Sequence, residues 1–265
     1  MILDQIAADT KLRVEAKKKE ISLEQVKRDA QSMEKNTGFP FEMALRKPDL
    51  SFICEVKKAS PSKGIIAKEF PYLQIAKEYD EAGADAISCL TEPKYFLGKD
   101  EYLKAIAKEV KIPVLRKDFV VDEYQIYEAK ILGASAVLLI CAILEEEQLK
   151  VYLQIAKELG LSALVEAHDE KEIKQAVRAG AKIIGVNNRN LKDFSVNVGN
   201  STNLRNFVPP ELLFVAESGI KGPEEIKALR KNKVDAVLIG ETMMRSPDKA
   251  KMLRFLKGEE HHEES

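Results

Sequence analysis

The chain has 265 residues, 42 of them basic and 43 acidic, for a formal net charge of -1. Apolar side chains make up 45% of the sequence, enough to bury the core of one α/β barrel, so wholesale disorder is excluded. The even charge excludes a nucleic-acid binder working through a basic face, and the longest apolar stretch, Ala134–Leu144, is about half of what a membrane span requires.

Residues 1–48 read as a helical extension without strand signal. Ile2, Leu3 and Ile6 share one face, and Leu12 and Val14 continue an apolar side through Lys17-Lys18-Lys19, a run expected to be a solvated face. Ser22 is a plausible N-cap, with Gln25 at the capping-box position, and Asn36-Thr37-Gly38-Phe39-Pro40 supplies the turn that ends the second helix. The charged stretch Lys11–Glu20 is unlike a secretory h-region, so a cytoplasmic protein is expected. Cys54, Cys89 and Cys141 are odd in number, far apart and set in apolar runs, which predicts buried, reduced thiols.

From residue 49 to 258 short apolar runs alternate with amphipathic helices. The runs are Phe52–Val56, Ala86–Leu90, Ile112–Leu115, Ala136–Ile140, Ala163–Val165, Ile183–Val186, Leu212–Val215 and Ala236–Ile239. Each is continuous instead of alternating, the mark of a strand buried on both faces in a parallel sheet. Between them lie helical stretches such as Tyr72–Glu81, Asp122–Leu132, Glu145–Leu159 and Glu170–Ala179. An echo precedes the second, fourth and sixth runs, where Gly83-Ala84-Asp85, Gly133-Ala134-Ser135 and Gly180-Ala181-Lys182 stop a helix and start a strand; Val234-Asp235 does so before the eighth without the glycine. Eight such units predict an α/β fold of the (βα)8 TIM-barrel type with an N-terminal helical extension. An open doubly wound sheet would not need eight strands, and its G-x-G-x-x-G fingerprint is absent. Residues 259–265, with His261 and His262, form a charged tail expected to be disordered.

Catalytic groups of such a barrel sit at the C-terminal ends of the strands. Here those ends carry Glu55-Val56-Lys57, Lys117-Asp118-Phe119, Glu166-Ala167-His168, Asn187-Asn188-Arg189-Asn190, Glu217-Ser218-Gly219 and Gly240-Glu241. Strand alternation points Glu55 and Lys57 to one side, above Ile53. Charged groups at the last strand position are partly desolvated and need partners, so two lysines and three glutamates meeting at one mouth would compensate one another. They read either as a structural ring of ion pairs or as acid–base machinery for an anionic substrate, with lysine as acid and glutamate as base. Gly219 and Gly240 lie in the two loops that often bind phosphate in this fold, with Ser218 beside them and Ser60 in the first loop able to close over the site. His168 is the only histidine outside the tail and no metal-ligand spacing surrounds it, so no metal is expected. A phosphosugar isomerase, an aldolase forming a Schiff base on Lys57 or Lys117, and a non-catalytic phosphate-binding barrel compete at this point.

Taken in order, these strings resemble the indole-3-glycerol phosphate synthases of tryptophan biosynthesis. The resemblance rests on Glu55-Val56-Lys57-x-x-Ser60-Pro61-Ser62, Leu90-Thr91-Glu92, Tyr95-Phe96-x-Gly98, Leu115-Arg116-Lys117-Asp118-Phe119 and Leu164-Val165-Glu166-Ala167-His168. It continues through Gly185-Val186-Asn187-Asn188-Arg189, Glu217-Ser218-Gly219-Ile220 and Leu238-Ile239-Gly240-Glu241. It implies ring closure of 1-(2-carboxyphenylamino)-1-deoxyribulose 5-phosphate with loss of carbon dioxide and water. By the same resemblance Lys117 is the general acid, Glu166 the base, and Lys57 and Arg189 hold the substrate carboxylate. Lys57 or Glu55 would help hydroxide depart, Asn187 and Glu217 would orient and hydrogen-bond, and Phe96 and Phe119 would flank the anthranilate ring. Ser60, Ser218, Gly219, Gly240 and the amide of Glu241 fall on phosphate-binding positions, with Leu238 in the same motif. No cofactor is implied, and a monomer acting on a small phosphorylated molecule is expected. Two positions depart from the family pattern: Lys99, where serine is usual, and Ala167, where a branched residue is commoner.

Overall fold

The computed structural model describes residues 2–189 and 194–259. Asn190 and, apart from Glu259, the charged tail with His261 and His262 lie outside the described residues. Eight strands form a closed parallel barrel in which each pairs with its neighbours in sequence and the last with the first. They are β1 (Ser51–Val56), β2 (Ala86–Leu90), β3 (Val114–Lys117), β4 (Ala136–Ile140), β5 (Ser162–Ala167), β6 (Ile183–Asn187), β7 (Leu213–Glu217) and β8 (Ala236–Ile239). Helices connect them, so the fold is a (βα)8 TIM barrel with an N-terminal helical extension.

The continuous apolar runs follow from double burial. Ile53, Leu115, Leu138, Leu164 and Val215 fill the barrel interior, while Phe52, Cys54, Val137, Val165 and Phe214 pack outward against the helices. All three thiols are buried and free, and burial raises the Cys54 and Cys141 pKa values to about 12. Three strands differ in their boundaries from the apolar runs for backbone reasons. The third strand begins after Pro113, which has no N–H to give the ladder. The fifth and seventh continue past their apolar residues because the ladder does: Ile140 pairs in register with Glu166, and Asn187 with Glu217. Charged side chains are thereby carried by regular strand, which fixes their direction.

Gly83, Gly133 and Gly180 all take positive φ (81°, 88° and 93°), as the echo before alternate strands requires. Before β8 Lys233 assumes the same role with φ 55°. Asp85 and Asp235 occupy matching places in the echo, each accepting the N–H of a strand residue, Phe52 at 2.8 Å and Phe214 at 2.7 Å.

The extension forms three helices, α1 (Ile2–Glu20), α2 (Leu23–Ser32) and α3 (Pro40–Leu45). Ser22 caps α2, accepting from the Gln25 N–H. The Gln25 side chain turns instead to Asp29, at 2.7 Å. The lysine run is not a free solvated face: Lys18 reaches Asp122 at 2.7 Å, and Lys17 bridges Asp100 and Glu128, while Lys19 alone is exposed. These contacts tie α1 to the loops and helices of the barrel, a tertiary partnership that charge pattern cannot show. Leu12 is 71% exposed, because two residues of helix rotate it about 200° from the buried Val14. At the opposite end of the barrel α3 inserts Phe41 and Leu45, both fully buried, among the interior residues. Sequence reading missed this plug because six residues show too little periodicity.

Lys99 stands at the N-cap of the helix Asp100–Glu109 and makes no side-chain cap bond. A serine there could accept a free amide of the first turn, so Lys99→Ser is expected to raise unfolding stability by about 0.5–1 kcal/mol, read by chemical denaturation.

Candidate active site

One cavity of about 790 Å³ opens at the C-terminal ends of the strands. All fifteen residues singled out from the sequence line it. From β1, β3, β5, β6 and β7 come Glu55, Lys117, Glu166, Asn187 and Glu217, with Lys57 just beyond β1. Phe96, Phe119 and Arg189 stand on loops, Ser60 on the first loop, and Ser218, Gly219, Leu238, Gly240 and Glu241 at the ends of β7 and β8.

The charges interlock. Lys117 Nζ lies 3.1 Å from Glu166 Oε2 and 3.3 Å from Glu217 Oε2, and Lys57 pairs with Glu55. Burial favours the neutral form of Lys117, but Glu166, Glu217 and Glu55 outweigh it and hold its pKa well above the ordinary lysine range. Burial likewise opposes ionisation of Glu166, yet Lys117, His168 and Asn187 keep its carboxyl below the usual glutamate value. Glu217 goes the other way: burial and the neighbouring Glu166 push it up to about 7 against the pull of Lys117. Two carboxylates on one ammonium therefore differ in character, one held ionised and one that titrates at about 7.

Glycines make room for this cluster. A Cβ on Gly185 would lie 2.2 Å from Glu217 Oε1, and one on Gly240 would lie 2.4 Å from Glu55 Oε1 and 2.8 Å from Lys57 Nζ. Glu217 Oε1 is buried against Gly185 and has no hydrogen-bond partner among the described residues.

Beside the charges, the Phe96 and Phe119 rings face each other with centroids 5.9 Å apart, forming an apolar wall. Glu92 shapes the loop that presents Phe96 by accepting the amides of Lys94, Tyr95 and Phe96. Gly98 is needed in that loop, since a Cβ would sit 2.4 Å from the Leu90 carbonyl oxygen.

The end of β7 is strained. Ser218 and Gly219 have φ of 69° and 83° in succession, and Asn188 supports the turn by donating to the Ser218 carbonyl at 3.1 Å. Gly240 follows β8 and leads into the short helix Glu241–Arg245. Lys63, in the turn of a short antiparallel hairpin (Ala59–Ser60 with Gly64–Ile65) in the first loop, pairs with Glu241 at 3.5 Å and so links that loop to the eighth strand end.

Several cavity residues were missed by reading strand ends. Ile2, Leu3 and Ile6 of α1, together with Lys63 and Arg245, also line it. They come from segments whose place over the mouth only the tertiary structure sets. Arg116 is the other omission. It is buried behind Lys117, where it bonds Glu128 at 2.6 Å and Asp100 at 2.8 Å. Its neighbour Asp118 accepts from Arg13 of α1 and from Thr91, each at 2.8 Å. Together these bonds hold the end of β3.

Comparison with known proteins bears on what this site serves. The family model described as indole-3-glycerol phosphate synthase matches residues 3–256. An indole-3-glycerol phosphate synthase of Ruminiclostridium cellulolyticum is 58% identical over 258 residues, covering 97% of this chain and 99% of its own. That of Endomicrobium trichonymphae is 56% identical over 257 residues, covering 97% of this chain and all of its own. Among solved structures, a 3-hexulose-6-phosphate synthase from Salmonella typhimurium superposes with a TM-score of 0.65 at 15% identity. That match covers 79% of this chain and 97% of the other and shows a shared barrel fold.

Proposed function

The chain belongs to the indole-3-glycerol phosphate synthase family, and from that premise we propose how its own residues divide the work. The reaction closes the pyrrole ring of 1-(2-carboxyphenylamino)-1-deoxyribulose 5-phosphate, releasing carbon dioxide and water and giving indole-3-glycerol phosphate. In our reading Lys117 protonates the ketone oxygen as the aromatic carbon attacks. Glu166, Glu217 and Glu55 keep Lys117 protonated before substrate arrives. Lys57 and Arg189 hold the substrate carboxylate until decarboxylation restores the aromatic ring. In the dehydration that follows, Glu166 removes the ring proton, and Lys57, paired with Glu55, assists departure of the hydroxide. The contact of 3.1 Å between Glu166 and Lys117 gives that proton a direct way back to the acid.

Asn187 and Glu217 orient these groups from the neighbouring strands. The anthranilate ring lies against Phe96 and Phe119. The phosphate goes to Ser60, Ser218, Gly219, Gly240 and the Glu241 amide, with Leu238 as apolar floor. The consecutive positive φ values at Ser218 and Gly219 support the last assignment, since such turns bare backbone amides to an anion. The single observation that carries the reading is Lys117 within salt-bridge distance of both Glu166 and Glu217 inside one cavity.

The division into a helical extension at 1–48 and a catalytic barrel at 49–258 belongs to the same proposal, as does a cytoplasmic monomer without nucleic-acid or membrane partners. No helix among the described residues is long and apolar enough to cross a membrane.

Supplying the carboxyphenylamino ribulose phosphate and following indole fluorescence tests the roles when combined with borohydride. Product should form while the protein mass stays unchanged, because an acid–base lysine makes no imine. A borohydride-stable adduct on Lys57 or Lys117 would replace the acid role with covalent catalysis.

A further inference from the structure

His168 is unused by the mechanism above, yet it sits directly over Glu166. On β5 the residues Leu164 and Glu166 face the barrel interior, and His168 follows at the same alternation. Glu172, in the first turn of the helix Glu170–Ala179, clamps it twice. The Glu172 carboxylate accepts the His168 backbone N–H at 2.7 Å and lies 3.1 Å from Nδ1. With Nδ1 so held, the ring can turn only one edge to the site. Its Nε2 is buried, has no hydrogen-bond partner among the described residues, and lies 3.4 Å from Glu166 Oε1. Lys117 occupies the other oxygen of the same carboxylate. His168 is not among the residues that line the cavity.

We propose that His168 is a positioning residue for Glu166: clamped by Glu172, its imidazolium faces the carboxylate oxygen that Lys117 leaves open and keeps the base ionised and aligned. The inference rests on the reading of Glu166 as the base. A neutral imidazole would leave a buried nitrogen and a buried carboxylate oxygen facing each other without a proton between them or, in the other tautomer, face Glu172 lone pair to lone pair. The charged ring lies within ion-pair distance of both carboxylates.

The ionisable surroundings favour that charge. Burial opposes it, but Glu172, Glu166 and, farther off, Glu217 raise the His168 pKa above the ordinary histidine value. The remaining groups around this chain of contacts are Lys117 and Asn187 at Glu166, Asp169 at the helix N-cap and the Cys141 thiol, which is near the Glu172 backbone and un-ionised. Lys117 adds a second positive charge at Glu166, and it is compensated by Glu166, Glu217 and Glu55.

His168→Gln removes the charge and keeps a polar side chain. Losing a positive neighbour raises the folded-state pKa of Glu166, so the acidic limb of the kcat/KM profile should move up by about one pH unit. kcat at pH 7 should fall about tenfold while KM stays within about twofold. Glu172→Gln, which leaves His168 in place but loosens its clamp, should shift the same limb in the same direction by a smaller step. An unshifted acidic limb in both folded variants overturns the proposal, as does an unchanged kcat. Glu166→Gln, assayed alongside, separates the two levels. If it abolishes turnover while the His168 and Glu172 variants leave the limb in place, the positioning role alone falls. If it keeps wild-type turnover, the base assignment falls with it.

Discussion

Lys117→Met is expected to lower kcat by about three orders of magnitude in the indole fluorescence assay, with KM changed far less, because loss of a general acid is worth about 10²–10⁴-fold. The stem of the side chain survives in methionine, so packing against the barrel interior is kept. What goes is the ammonium that lies 3.1 Å from Glu166 and 3.3 Å from Glu217. The loss should be electrostatic twice over. The ketone oxygen no longer receives its proton, and two buried carboxylates are left facing each other without the ammonium between them. One of them must then take up a proton, and Glu217, already raised to about 7 by burial and Glu166, is the one to do so. A Lys117→Met protein with wild-type kcat would remove the acid from the mechanism. Retained folding is checked by circular dichroism, so that a collapse of the ion cluster is not mistaken for a chemical effect.

Glu166→Gln should cost about two to three orders of magnitude in kcat for a different reason. The amide is nearly the same shape and can still accept from Lys117, so the geometry of the mouth is kept. It cannot take the ring proton during dehydration. Ring closure and decarboxylation precede that step, so carbon dioxide release in a single turnover should outrun the appearance of indole fluorescence. Carbon dioxide and fluorescence lost in step with each other would place Glu166 before decarboxylation instead. The difference between the two readouts therefore tests the order of the steps as well as the residue.

How far these residues were legible in the sequence follows from strand geometry. A β-strand of four to six residues ends its apolar run where it leaves the barrel, and the next side chain is fixed in direction by two-residue alternation. Glu55, Lys117, Glu166 and Glu217 could be found that way because each is carried by a strand whose inner neighbours are apolar. The glycines could be read as features but not as reasons: that Gly185 makes space for Glu217, and Gly240 for Glu55 and Lys57, depends on which strands are neighbours. His168 was read only as a poor metal ligand, since nothing in its local sequence says that Nε2 points back at Glu166.

The amino-acid sequence by itself determined the eight strands, their order and the charged groups at their ends, because double burial and alternation are local constraints written in residue type. It also determined the family, through motifs spread over most of the chain. Tertiary structure alone decided the rest. It set which carboxylate stays ionised, since Glu166 gains His168 and Asn187 as well as Lys117, while Glu217 is buried against Glu166 and Glu55. It placed α1 over the mouth through Arg13 and Lys17, and α3 in the base through Phe41 and Leu45. The physical reason is common to all of these: electrostatic and packing energies depend on separations between residues distant in the chain, and those separations exist only once the barrel has closed.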